Sequence, residues 1–176
     1  MNRNLEHDWF DEPLPLNIDL GERNWLYSSF AFRHYRSKRP WGLKTGHDTG
    51  LYNGTFFDLG PTGEVVIGNY CALVGAIFCC NGRVEIGDYA FIAHEVVLAD
   101  SFAAVPFFSD DEVSAPETSI SIAENVWIGA RAVLLKGTQL GKGSIVGAGT
   151  VVDFEVPAYS IVAGNPARVV GEVQRQ

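Results

Sequence analysis

The chain has 176 residues, a formal net charge of −8 at pH 7 and 47% hydrophobic side chains. This length suits one domain with a sizeable core, and the acidic balance argues against nucleic acid as a partner. No apolar run approaches the roughly 18 residues that span a bilayer. The first residues also lack the apolar centre of a signal peptide, so we expect a cytoplasmic protein without a membrane span.

In chain order, residues 1–50 come first and contain no regular repeat. They hold many aromatic residues, Trp9, Trp25, Tyr27, Phe30, Phe32, Tyr35 and Trp41, and a basic cluster, Arg33, Arg36, Lys38, Arg39 and Lys44. Terminal units of a repeat protein need a different outer face, so we predict a cap or arm over the open end of the repeats that follow. The basic cluster either meets an anionic ligand or surface, or forms a solvated face opposite nearby carboxylates.

A six-residue period dominates residues 51–170 and is clearest near their end. Aliphatic residues occupy every sixth position, and a small residue follows each by four places. The aliphatic set is Ile122, Ile128, Leu134, Leu140, Val146 and Val152, and the small set is Val126, Ala132, Thr138, Ser144, Thr150 and Val156. This period fits neither an α-helix nor a single alternating strand. It predicts a solenoid whose sides each hold one short strand and one turn, with three sides to a coil.

The same hexads predict how the interior of the solenoid is filled. Each small residue lies two places before the next aliphatic one, so both side chains point to the same side of a strand. Small and large side chains therefore alternate across a narrow core. Earlier repeats place Cys71 and Cys79 at inward positions, where a thiol acts as a small apolar group. Three cysteines with this spacing predict neither a disulfide framework nor a zinc site.

The repeats also predict where the solenoid is interrupted. The hexads stop after Phe102 and resume in register at Ile120. We therefore predict an extruded loop over residues 103–119. The β-helix domain is predicted to span residues 51–170, with a short C-terminal tail at residues 171–176.

Three segments carry a resemblance to a known family. They are Asn125-Val126-Trp127-Ile128-Gly129-Ala130, Ile145-Val146-Gly147-Ala148-Gly149-Thr150-Val151-Val152 and Val162-Ala163-Gly164-Asn165-Pro166-Ala167-Arg168-Val169-Val170. Together they resemble the hexapeptide-repeat acyltransferases, particularly the galactoside, maltose and xenobiotic O-acetyltransferases. The resemblance implies an all-β fold, the left-handed parallel β-helix, an exception to the usual right-handed crossover. It also implies a homotrimer with active sites between subunits, and acetyl-CoA as the donor.

The resemblance further implies a set of donor-binding residues. Trp127, Ala130 and Ala148 match residues that line the donor channel, and Arg168 matches a cation that meets a CoA phosphate. Lys142 is an additional cation near the nucleotide end. Plainer interpretations stay open, because Trp127 could cover a strand face and Lys142 could serve solubility. Where the family often has Thr-Lys, this chain has Asp153-Phe154, so one phosphate-binding cation is replaced.

The family's catalytic histidine has no counterpart between Ala99 and Ala104. His94 is the nearest substitute for this general base, which would remove a proton from the acceptor as it attacks the thioester. Asp100 or Glu95 would orient its ring. The alternative is an ordinary surface histidine at a turn. The four histidines lack the His-x-x-x-x-His spacing of a γ-carbonic-anhydrase site, so no metal is expected.

These observations favour an acetyl-CoA-dependent O-acyltransferase acting on a hydroxyl of a sugar, a nucleotide sugar or a sugar-like small molecule. Surface-polysaccharide biosynthesis is one setting for such a reaction. The alternative is a catalytically silent β-helix that serves as a scaffold or ligand-binding trimer, which the missing histidine favours. A metal protein like γ-carbonic anhydrase is the third and least favoured hypothesis.

Overall fold

The computed structural model describes residues 4–100 and 118–174. Most of the predicted extruded loop, residues 103–117, therefore lies outside the described residues. The described chain consists of short β-strands joined by tight turns, with one 3-10 helix at Ser29–Phe32. No helix in these two described ranges is long and apolar enough to cross a membrane.

The strands form three sheets, which we number 1 to 3. Sheet 1 contains, in order, β1 (Ile18–Asp19), β3 (Leu43–Thr45), β6 (Glu64–Ile67), β9 (Arg83–Ile86), β12 (Thr118–Ile122), β15 (Gln139–Leu140) and β18 (Glu155–Val156). Sheet 2 contains β2 (Trp25–Leu26), β4 (Gly50–Tyr52), β7 (Ala72–Val74), β10 (Phe91–Ile92), β13 (Trp127–Ile128), β16 (Ile145–Val146), β19 (Ser160–Ala163) and β20 (Arg168–Glu172). Sheet 3 contains β5 (Phe56–Leu59), β8 (Ile77–Cys80), β11 (Val97–Ala99), β14 (Val133–Leu135) and β17 (Val151–Val152).

The chain passes from sheet 1 to sheet 2 to sheet 3 and back, so every coil between the first and the last adds one strand to each side of a three-sided prism. Neighbouring strands within each sheet are parallel, except for the antiparallel pair β19 and β20 at the C-terminal end. This arrangement is the predicted left-handed parallel β-helix. We name its corners by the sheets that they join: edge 1/2, edge 2/3 and edge 3/1.

The interior follows the predicted hexads. The six aliphatic positions from Ile122 to Val152 are all buried, and so are the small positions between them. Equivalent side chains stack in columns along the axis, as in the pairing of Ile86 with Ile122 and of Ile122 with Leu140. Among the polar members of the small set, Thr138 Oγ1 donates a hydrogen bond to the Val152 carbonyl at 2.8 Å. Burial of these aliphatic side chains contributes about 1.5–3 kcal/mol each.

The prediction for Cys79 is wrong. In β8 the inward side chains are Phe78 and Cys80, whereas Cys79 is half-exposed on the outer face. Phe78 stacks beside Leu98, and Leu73 stacks beside Ile92. The step from Leu73 to Phe78 is therefore one residue shorter than a hexad, because the turn at Gly75 is tighter than its neighbours. Cys71 is buried as predicted.

The sheets begin at Ile18, well inside residues 1–50. Strands β1 to β4 extend sheets 1 and 2 toward the N-terminus. In the first coil the 3-10 helix replaces the strand of sheet 3, and Phe32 stacks on Phe57 with ring centroids 5.3 Å apart. The predicted cap thus contains the first strands of the β-helix. Long aromatic insertions between these strands obscure the six-residue period in the sequence.

Three of the five basic residues of this segment are paired with carboxylates. Arg36 lies 2.8 Å from Asp58, and Lys44 lies 3.6 Å from Asp19. Arg39 approaches Glu64 at 3.7 Å. These pairs favour the solvated-face interpretation of the basic cluster over a concentrated anion site.

Candidate functional site

The turns of edge 2/3 repeat one backbone geometry from coil to coil. Gly75, Glu95, Arg131 and Gly149 occupy the same place in successive turns, with φ between 58° and 74°. Hydrogen bonds join the turns into a continuous row: Arg131 N donates to the His94 carbonyl at 2.9 Å, and Gly149 N donates to Ala130 at 2.9 Å. The residue before each turn centre is therefore held in line with its neighbours along the edge.

This row brings three of the sequence-predicted residues together. His94, Ala130 and Ala148 line one open groove of about 500 Å³, together with the turn residues Glu95, Arg131 and Gly149. The methyl side chains of Ala130 and Ala148 leave the backbone accessible along the edge. His94 is exposed at the N-terminal end of the groove. The catalytic role of His94 and the binding roles of the alanines stay predictions.

The charges in the groove are paired across one coil. Arg131 Nε donates to Glu95 Oε2 at 2.7 Å. This hydrogen bond, together with the positive charge of Arg131, lowers the pKa of the Glu95 carboxyl, and the same contact raises the pKa of Arg131. Glu95 is therefore directed at Arg131. Among the described residues, none forms a hydrogen bond or ion pair with the His94 ring.

Asp100 lies at a different corner from His94. Its carboxylate accepts hydrogen bonds from Asn81 N at 2.7 Å, Gly82 N at 2.7 Å and Ser119 Oγ at 2.6 Å. Asp100 follows His94 by six positions, which is the length of one side of the prism, so the two side chains occupy adjacent edges. The hypothesis that Asp100 orients the His94 ring does not fit this geometry. Asp100 instead fixes the turns of edge 3/1.

Two further predicted donor residues lie near the groove. Trp127 is on the outer face of sheet 2, where its side chain is 53% exposed and β13 pairs with β10 and β16. Arg168 begins β20 and is paired with Ala163, at the C-terminal end of edge 2/3. Arg168 is exposed and forms no ion pair with any residue in the described ranges.

Lys142 belongs to another corner. It lies in the turn of edge 1/2, where its amino group forms an ion pair with Glu124. This contact raises the pKa of Lys142. The groove on edge 2/3 therefore does not include Lys142, and its predicted role in donor binding finds no support in this geometry.

On edge 1/2, His47 and Asp48 form a contact that the sequence analysis did not predict. His47 Nδ1 lies 2.6 Å from Asp48 Oδ2. Arg23 donates a bidentate pair of hydrogen bonds to the same carboxylate at 2.6 and 2.7 Å. Hydrogen bonds from Arg23 and then His47 lower the pKa of Asp48 to about 2. The indication of this contact in the sequence was that His47 and Asp48 are adjacent. Within residues 4–100 and 118–174, no group of three or more His, Cys, Asp or Glu side chains could hold a metal ion.

The class of protein follows from these repeats and from one family match. Residues 119–153 match the family model described as bacterial transferase hexapeptide (six repeats). The chain is a hexapeptide-repeat β-helix protein, with the fold of the hexapeptide-repeat acyltransferases.

Curated relatives match over the repeat region. A 2,3,4,5-tetrahydropyridine-2,6-dicarboxylate N-acetyltransferase of Clostridium perfringens is 47% identical over 60 residues, which cover 34% of this chain and 25% of the relative. The enzyme of the same name from Staphylococcus aureus is 48% identical over 59 residues, covering 33% of this chain and 25% of the relative. The match thus spans about a quarter of the length of these relatives.

Solved structures match over most of the chain. A mutant of AntD, an N-acyltransferase from Bacillus cereus in complex with dTDP and coenzyme A, superposes with a TM-score of 0.65 at 19% identity, covering 91% of this chain and 86% of that one. The hexapeptide-repeat acetyltransferase VCA0836 of Vibrio cholerae, complexed with acetyl coenzyme A, has a TM-score of 0.57 at 21% identity, covering 82% and 75%. At these identities the likeness concerns the fold.

Proposed function

We propose that this chain is an acetyltransferase that uses acetyl-CoA as donor and a sugar or nucleotide sugar as acceptor. The observation that carries the proposal is the groove on edge 2/3, which aligns His94, Ala130 and Ala148. The family resemblance favours an acceptor hydroxyl. The names of the curated relatives favour an acceptor nitrogen. Both acceptor classes therefore belong in the experimental test.

The donor is proposed to lie along edge 2/3. Neighbouring strands of a sheet are about 4.8 Å apart, and β20 lies four strands from β10, so the level of Arg168 lies roughly 19 Å from that of His94. An extended pantetheine arm would follow the backbone beside Ala148 and Ala130, where the side chains are small. Arg168 would meet a phosphate at the C-terminal end by charge and hydrogen bonding. The thioester would then lie near His94.

His94 is proposed as the general base of this reaction. Its neutral imidazole would accept the proton of the attacking hydroxyl, or of a nascent ammonium, as the acceptor atom bonds to the thioester carbonyl carbon. The tetrahedral intermediate would then expel the CoA sulfur, which takes up a proton. The exposure of His94 at the end of the groove supports this role.

A homotrimer is part of the proposal and is supported by the outer surfaces of the sheets. Sheet 2 exposes large aromatic side chains, Trp25, Phe91 and Trp127. The outer face of sheet 1, in contrast, carries Asp19, Lys44, Glu64, Glu85 and Glu155. A contiguous apolar surface of this kind typically marks a protein interface. If sheet 2 faces the neighbouring subunits, the groove on edge 2/3 lies beside a neighbour.

The test of this proposal measures binding and turnover separately. Calorimetry should detect acetyl-CoA binding to the wild-type chain, and Arg168→Gln should weaken it. A screen of sugars, nucleotide sugars and amines should then release free CoA in an acceptor-dependent way. No binding at millimolar acetyl-CoA would contradict the proposal at its first step.

A second candidate function is a catalytically silent β-helix that binds a ligand or serves as a scaffold. Two observations favour it. No residue of the described ranges forms a hydrogen bond or ion pair with the His94 ring, and Asp153 stands in place of a cation. Tight binding of acetyl-CoA without CoA release in the presence of any acceptor would support this alternative. A cytoplasmic setting and a role in surface-polysaccharide assembly are further parts of the leading proposal and rest on the family resemblance.

A further inference from the structure

A second pocket opens on edge 2/3, at the N-terminal end of the prism. It has a volume of about 210 Å³. Five aromatic side chains line it, Trp9, Tyr27, Phe30, Tyr52 and Phe56. The other lining residues are small, aliphatic or uncharged, so no charged side chain contributes to the wall. The pocket is therefore mainly apolar, and aromatic rings are its largest lining groups.

The aromatic wall is fixed in place by the N-terminal segment. Asp8 accepts hydrogen bonds from Ser28 Oγ at 2.6 Å and from Ser29 N at 2.8 Å, which ties the segment to the first coil. The Trp9 and Phe30 ring centroids are then 5.5 Å apart, and Phe30 lies 5.8 Å from Phe56. Trp9 is nevertheless 65% exposed. The segment thus holds a large indole at the mouth of the pocket while leaving most of it uncovered.

A strip without side chains joins this pocket to the groove. Gly54 and Gly75 occupy successive turns of the edge, and the backbone of Glu95 follows directly. The equivalent left-handed positions on edge 1/2 hold Tyr70 and Tyr89, so large side chains are possible at such turns. Successive coils are about 4.8 Å apart along the axis of the prism. The pocket, at Gly54, therefore lies roughly 10 Å along this axis from Glu95 in the groove.

The polar groups of the pocket restrict the kind of ligand that it can take. The hydroxyls of Ser28 and Thr55 already donate to Asp8 and to the Leu73 carbonyl. The side-chain amide of Asn53 forms no hydrogen bond with any other residue of the described ranges, and an amide offers both donors and an acceptor. Rings favour stacking with a planar ring, and one free amide suits one polar edge of that ring.

We infer that this pocket binds a planar, uncharged aromatic ring carried by the acceptor, with the size and polar edge of a pyrimidine base. The acceptor would extend along the glycine strip and present its reactive hydroxyl or amine near His94. This inference rests on the proposed function for the identity of the ligand as an acceptor. Binding of the ring itself can be tested without any donor or turnover.

The experiment is calorimetric titration of the full chain with thymidine and with uridine, in the absence of acetyl-CoA. Ribose, which lacks the ring, is the matched control ligand. Tyr52→Ala removes one ring of the pocket, and Asn53→Trp fills its mouth without removing a buried side chain. Tyr70→Ala is the control variant, because it removes an exposed tyrosine from edge 1/2. Thermal unfolding of every variant checks that the fold is retained.

We expect both nucleosides to bind and ribose not to bind. Tyr52→Ala should weaken nucleoside binding by about five- to a hundredfold, as for other bases stacked on an aromatic ring. Asn53→Trp should abolish binding, and Tyr70→Ala should leave it unchanged. Equal binding by wild type and Asn53→Trp, or no binding of either nucleoside to wild type, would overturn the inference. Nucleoside binding at this pocket in a chain that never releases CoA would support it while contradicting the proposed function.

Discussion

Hexad position determines what a polar residue of this chain can contact. His94 and Asp100 differ by one hexad, so they lie on adjacent edges although they are close in sequence. Asp100 accepts hydrogen bonds from two backbone amides and from Ser119. His94, in contrast, is exposed in the groove with Ala130 and Ala148. Asp100 therefore has a structural environment, whereas the His94 side chain is accessible to a ligand in the groove.

Substitution of the two residues should separate these roles. His94→Ala should lower turnover by about two to four orders of magnitude, because it removes a general base, and leave the unfolding temperature nearly unchanged. Asp100→Ala should lower the free energy of unfolding by about 1–3 kcal/mol, because it leaves three partly buried donors unsatisfied. Steady-state CoA release and chemical denaturation measure the two effects. Full turnover in His94→Ala would exclude it as the base.

Asp8 gives the N-terminal segment a defined acid sensitivity. Burial acts to raise the pKa of its carboxyl, but hydrogen bonds from Ser28, Ser29 and Phe10 outweigh that effect and lower it to about 2, from 3.8. A lowered pKa stabilises the native state above pH 3.8, and this contribution is lost as pH falls toward 2. In Asp8→Asn the unfolding free energy should therefore change less between pH 5 and pH 2 than in wild type. Denaturation curves across that range provide the measurement, and parallel pH profiles would contradict the prediction.

Individual strands of two to five residues are stable here because neighbouring coils pair with each of them, on both sides except at the ends of the sheets. The hexads predicted this arrangement from Ile120 onward, since aliphatic and small residues alternate there without insertions. They missed the first coil, where the 3-10 helix at Ser29–Phe32 takes the place of a strand. They also misplaced Cys79, because a turn shortened by one residue shifts the side chains of the following strand, β8, to the opposite face. Long-range pairing, rather than local sequence, determines those positions.

Adjacent residues of β15 test the contribution of the inward column. Leu140 is 2% exposed, whereas Gln139 beside it points to solvent from the charged sheet 1. Leu140→Ala should lower the free energy of unfolding by about 2–5 kcal/mol, because a cavity is left in a rigid interior. Gln139→Ala should change it by less than about 0.5 kcal/mol. Equal effects in chemical denaturation would contradict the register assigned to sheet 1.

At the scale of the molecule, the outer faces of sheets 1 and 2 differ in character. Sheet 1 presents charged side chains, whereas sheet 2 presents aromatic ones at Trp25, Phe91 and Trp127. The charged and aromatic residues of these two faces can be read in the sequence. Which of them share an outer face is known only from the side-chain alternation within each strand and from the pairing of the strands. Edge 2/3, with its groove and its aromatic pocket, borders the apolar face. If sheet 2 is the interface of the proposed homotrimer, both candidate sites border it.

Introducing a charge on the apolar face should disrupt self-association. Phe91 is 44% exposed and lies near the middle of sheet 2, so Phe91→Glu would place a carboxylate where a partner is proposed to pack. An unpaired charge in an interface costs several kcal/mol, so the variant should sediment as a monomer while the wild type sediments as a trimer. Gln139→Glu adds the same charge to sheet 1 and should remain trimeric. A wild-type monomer, or a Phe91→Glu trimer, would exclude sheet 2 as the association face. If Phe91→Glu is monomeric and folded but still binds acetyl-CoA as tightly as wild type, the donor groove on edge 2/3 is formed by one subunit alone.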